Sequence, residues 1–146
     1  MNKKIIIHTD ASNIKNSNIC KICSVILLDD TTTTYEDFCA GTIAYAELLA
    51  VIKTLEHIEK EYYPKNFCFD LYTDHLPNVK LFNAILLEKN NNCTEDVSRI
   101  NVILKRKGLT RQDISVILRL QNNNDINISW LPRKENKEAD KLSKGL

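Results

Sequence analysis

Long apolar runs, glycine, proline and paired cysteines are all scarce in this sequence. No segment approaches the ~20 apolar residues that a membrane-spanning helix needs, which excludes a helical membrane protein. Three glycines and three prolines in 146 residues leave no linker and no low-complexity segment, and there is no internal repeat. A chain of this length can bury a real core, so we expect one domain over residues 1–146. The apolar part of Met1-Asn2-Lys3-Lys4-Ile5-Ile6-Ile7 is too short for a signal peptide and no small-residue cleavage site follows, which predicts a cytoplasmic protein, and we expect a monomer. Five cysteines, an odd number at irregular spacing, exclude a disulfide framework and read as reduced thiols. Cys20 and Cys23 have zinc-like spacing, but no second pair exists, and residues three apart on a strand point to opposite faces.

A formal net charge of +1 conceals an asymmetry. Residues 1–98 carry 9 basic and 14 acidic side chains, whereas residues 99–146 carry 11 basic and 5 acidic ones. The basic part is suited to facing a polyanion.

The hydrophobic pattern predicts ten elements. Lys4 to Asp10 is an apolar run of strand formers ending in a carboxylate. Ile19 to Asp29 and Thr31 to Cys39 read as two further strands joined by a tight turn at Asp29-Asp30. From Thr42 to Glu59 the period becomes helical, with Leu48, Val51, Ile52, Leu55 and Ile58 on one stripe and Glu47 at its edge. Phe67 to Asp74 is a fourth strand. Pro77 opens a helix through Leu87, Thr94 starts another that ends at Lys105-Arg106-Lys107-Gly108, and Thr110 with Asp113 predicts a capping box for a third, to about Gln121. Ile126 to Leu131 is a fifth strand, placing Trp130 in the core, and Glu135 to Ser143 a closing helix. The order β-β-β-α-β-α-α-α-β-α predicts an α/β domain with a mixed five-stranded sheet and helices on both faces. The first and fourth strands should be parallel neighbours with Asp10 and Asp74 at their carboxyl ends, the edge where such sheets bind ligands.

Four short motifs then stand out: His8-Thr9-Asp10-Ala11-Ser12, Ala46-Glu47-Leu48-Leu49, Tyr72-Thr73-Asp74-His75 and Asn136-Lys137-Glu138-Ala139-Asp140. Each sets one carboxylate beside an apolar run, where a lone charge is costly unless a cation uses it. Four acids converging on one cleft suit a site for hard divalent cations and metal-assisted phosphodiester cleavage, with two ions roughly 3.5–4 Å apart.

Taken in order, these motifs resemble the type 1 ribonuclease H family over nearly the whole chain, through Ile7 to Ser12, Thr42 to Ala50, Leu71 to Asp74 and Trp130 to Leu142. The resemblance implies Asp10, Glu47, Asp74 and Asp140 as catalytic metal ligands, two Mg²⁺ ions with Mn²⁺ as a substitute, and endonucleolytic cleavage of the RNA strand of an RNA–DNA hybrid. It implies nucleic-acid contacts at Ser12, Thr42, Arg133, Lys134 and Asn136, and at the basic group Lys105, Arg106, Lys107 and Arg111. Glu135 takes the place of the family's mobile histidine, with His75 as the other candidate for that role. The polar residues that follow Thr42 in the family and read the RNA 2′-hydroxyl are Ile43 and Ala44 here. This keeps open an alternative: a binding module, or a nuclease for DNA or structured RNA, on the same fold. Other nucleases with this sheet fit less well, since no Asp-x-Glu stands on the first strand and the acids run Asp, Glu, Asp, Asp.

Overall fold

The computed structural model describes residues 3–88 and 94–139. Its sheet is built from β1 (Lys3–Asn13), β2 (Ile19–Leu28), β3 (Thr31–Ala40), β4 (Phe67–Thr73) and β5 (Asp125–Trp130), in the spatial order β3-β2-β1-β4-β5. The first three strands form an antiparallel meander, and β1, β4 and β5 run parallel. Between them lie α1 (Ile43–Tyr62), α2 (Leu76–Glu88), α3 (Thr94–Arg106) and α4 (Ser115–Gln121), with a short 3-10 turn at Arg133–Glu135 and helical residues at 137–139. The hairpin joining β2 to β3 turns on Asp29-Asp30, with Asp29 at φ 54°, a left-handed conformation that a short acidic side chain tolerates.

The crossover helix seals one face of the sheet. Every residue of its predicted stripe, Leu48, Val51, Ile52, Leu55 and Ile58, is buried against Ile5, Ile7, Ile26, Phe69 and Leu71 of the strands. Phe82 and Ile85 of α2, Ile100 and Leu104 of α3, and Ile117 and Leu120 of α4 complete the same core. A buried hydrogen bond from Thr54 Oγ1 to Ser24 Oγ, 2.9 Å, fixes α1 along β2. The alternate residues of β1 and β2 point the other way, where Asn136 meets His8 and the Ala139 carbonyl meets Cys23, so helical segments lie on both faces. Cys20 and Cys23 are both buried but on opposite faces, Cys20 packing with Ala46 and Ala50 of α1. Cys20, Cys23, Cys39 and Cys68 are all free thiols.

The structure departs from the sequence expectation at the end of β1, at the start of α4 and at Trp130. β1 does not stop at Asp10 but continues to Asn13, because β2 goes on pairing with it as far as Asn13 opposite Cys20. The Thr110–Asp113 box does form, with Thr110 N–H donating to Asp113 Oδ2 at 2.7 Å and Asp113 N–H to Thr110 Oγ1 at 3.3 Å. Helix α4 nevertheless begins only at Ser115, since fully buried Ile114 draws the chain into the core in a non-helical conformation first. Trp130 is 49% exposed, not core as expected: β5 is an edge strand, and its last residue projects past the helical layer that covers Ile128.

Candidate metal and catalytic site

Strand divergence creates the site. Parallel pairing of β1 with β4 ends at His8 opposite Tyr72, two residues before Asp10, and β4 itself ends one residue before Asp74. Antiparallel pairing with β2 still holds Asp10 opposite Cys23, so its carboxylate is fixed at the lip of the gap between the strands. Over this lip, α1 starts at Thr42, whose Oγ1 caps the helix by accepting from Tyr45 N–H at 3.2 Å. Small side chains, Ala46 and Ala50, let the first turns of α1 lie close on Ala11, Cys20 and Ile22. Glu47 is thereby carried over β1.

Asp10, Glu47 and Asp74 each offer a carboxylate oxygen, and these oxygens all lie within 4.8 Å of one another. Asp10 and Glu47 are buried, at 2% and 6% exposure, and Asp74 is half-buried. Glu47 lies against Asp10 and the Ala11 backbone, and its Oε2 is buried without a partner. Burial first, then the charges of Asp10 and Asp74, push the Glu47 carboxyl up to about 9. An all-oxygen cluster with an orphaned buried oxygen and strong mutual repulsion fits a hard divalent cation, which supplies the missing positive charge.

The fourth predicted acid, Asp140, lies outside the described residues. The chain leading to it is tied to the strands at Asn136 and Ala139. Asn136, 1% exposed, donates from Nδ2 to the Thr9 carbonyl at 2.9 Å, and Cys23 Sγ donates to the Ala139 carbonyl at 3.1 Å. Asn136 was expected at the nucleic-acid surface; instead its amide is turned inward and both ends are engaged. Thr42 and Ile43 are exposed, Ser12 is half-buried on β1 two residues past Asp10, and Arg133, Lys134 and Glu135 are exposed on the 3-10 turn.

The basic group divides. Lys105 and Arg106 are exposed and Lys107 half-buried at the end of α3, which closes with Gly108 at φ 78° through Gly108 N–H to Lys105 O and Leu109 N–H to Leu104 O. Gly108 faces the Tyr45 ring in the first turn of α1, so this basic end lies beside the Thr42 helix start. Arg111, expected to contact phosphate, is committed elsewhere. Its guanidinium makes a bidentate pair with Glu88, both bonds 2.6 Å, and also binds Asn101 and the Val97 carbonyl, tying α2 to α3. Two features had no clear signal in the sequence: the His8–Asn136 bond, and the Trp130 indole N–H donating to the Asp74 carbonyl at 3.2 Å.

Neither a family model nor a curated protein matches the chain by sequence. Solved structures match it by fold. A ribonuclease H1 isolated from compost by a metagenomic approach is 22% identical, with a TM-score of 0.68 over 98% of this chain and 94% of its own. The same ribonuclease H1 in complex with an RNA/DNA hybrid gives 18% identity and 0.63, over 97% and 94%. The N-terminal ribonuclease H domain of a Mycobacterium tuberculosis protein, solved as a fusion with maltose-binding protein, gives 18% and 0.65, over 98% and 92%. The fold is therefore that of the ribonuclease H1 structures, strand order included.

A carboxyl group whose folded value is raised favours the fold below its unfolded value, near 4.5, and loses that contribution as pH climbs toward about 9. Glu47→Gln should accordingly melt higher than wild type in metal-free buffer at pH 8 and above. The advantage should shrink to nothing near pH 4, as read by thermal denaturation across pH.

Proposed function

We propose that this protein is a metal-dependent endonuclease that hydrolyses the RNA strand of RNA–DNA hybrids. The observation that carries the reading is the convergence of Asp10, Glu47 and Asp74 at the strand gap, with an unpartnered buried oxygen on Glu47. These carboxylates, joined by Asp140 on the sequence resemblance, would hold two Mg²⁺ ions, with Mn²⁺ as a substitute. Bound there, the ions supply an activated water and stabilise the leaving oxygen. The chain's own part is to fix Asp10, Glu47 and Asp74 at the strand gap, to keep Glu47 dry on the buried side of α1, and to present Lys105, Arg106 and Lys107 to phosphate beside Thr42. Glu135, on the 3-10 turn before the last helix, would assist release of product.

A second reading has its own support. Ile43 and Ala44, both exposed at the start of α1, carry no group able to hydrogen-bond a ribose 2′-hydroxyl. A nuclease with weak discrimination between RNA and DNA would follow.

Labelled RNA–DNA hybrid, double-stranded RNA and double-stranded DNA, each with Mg²⁺ or Mn²⁺, separate the readings. We expect cleavage of the hybrid, and expect Asp10→Asn to lower kcat by more than about a hundredfold, beyond the ~10–100-fold typical of losing an outer-shell partner. Unchanged cleavage by Asp10→Asn would contradict the assignment. Replacing Lys105, Arg106 and Lys107 together by Gln should raise KM and flatten its salt dependence, because the slope of log K against log salt shrinks by about 0.9 for every phosphate that the protein no longer neutralises. In that variant kcat should stay near the wild-type value.

A further inference from the structure

We propose that His8 is a positioning residue for the carboxylate cluster, acting through Asn136. His8 occupies an apolar strand, between Ile7 and Thr9, where a hydrocarbon side chain would pack as well on the neighbouring Tyr72. Its ring does stack there, with centroids 5.1 Å apart and planes 24° from parallel. What a hydrocarbon cannot supply is the second interaction. His8 Nδ1 donates to Asn136 Oδ1 at 3.0 Å, across 128 residues of sequence.

That donor and the Thr9 carbonyl hold the Asn136 amide from both ends. An amide has one accepting and one donating end, and both are engaged here: Nδ2 donates to the Thr9 carbonyl while Oδ1 accepts from His8. Thr9 lies just past the last β1–β4 pair and immediately before Asp10. Three residues after Asn136, the Ala139 carbonyl is bonded to Cys23, the register partner of Asp10. The entry to the closing helix is thus clamped to both strands that carry the Asp10 position. Without the His8 donor a buried acceptor is orphaned, the Thr9 bond alone holds the amide, and the clamp is weakened.

The proposal rests on reading the cluster as a metal site, and two readouts keep the two claims apart. Amide hydrogen exchange over residues 137–139 in metal-free protein reports the clamp, and calorimetric titration with Mn²⁺ reports the cluster. His8→Phe keeps the ring on Tyr72 and removes the donor; exchange should rise roughly tenfold and Mn²⁺ affinity should fall about tenfold. His8→Asn removes the ring but places an N–H at the same number of bonds from the backbone as Nδ1, and should hold both values within about twofold of wild type. The idea is overturned if His8→Phe leaves exchange and affinity unchanged, or if both variants are equally impaired, which would make His8 a packing residue. Faster exchange in His8→Phe alone, with no Mn²⁺ binding even by wild type, would uphold the clamp and refute the metal reading.

Discussion

Burying Glu47 beside Asp10 is the constraint on which the rest of the site depends. Two carboxyl groups in contact and largely out of water oppose folding unless one is protonated or a cation lies between them. The surrounding fold tolerates this because both acids stand on elements secured by other means. Asp10 is held by its pairing with β2, and Glu47 by an apolar stripe that runs the length of α1. Stability is concentrated in the core so that the strand gap can hold charge.

The same division explains where polar contacts appear. Below the gap, α1 and the sheet meet almost wholly through hydrocarbon, with the Thr54–Ser24 bond as a register mark. At the gap, backbone carbonyls of Thr9 and Asp74 recruit side-chain donors from Asn136 and Trp130. Each of these donors sits on or just after the last strand. The C-terminal quarter of the chain therefore steadies the backbone at Thr9 and Asp74, beside the acids at the ends of β1 and β4.

Much of this was legible in the sequence, for identifiable reasons. Strands carrying Asp10 and leading to Asp74, and a helix with Glu47 at the edge of its stripe, follow from strong periodicity, and the parallel pairing of β1 with β4 follows from one crossover helix. Local signals failed where a partner was distant or a layer ended. Thr110 and Asp113 form their box, but buried Ile114 delays the helix. Ile126, Ile128 and Trp130 share a strand parity, yet the helical cover stops short of Trp130. Arg111 looked like one more cation in a basic group, and only the packing of α2 on α3 brings Glu88 to it. Nothing near His8 in sequence announces Asn136.

The central claim is that the cluster is an ion site whose Glu47 is protonated when the ion is absent. Calorimetry of Mn²⁺ binding at pH 7.5, in two buffers with different ionisation enthalpies, measures both parts at once. With the Glu47 carboxyl raised to about 9, loading the site should release about one proton per protein, and Glu47→Gln should abolish that release. Binding without proton release, or no binding at all, would contradict the account.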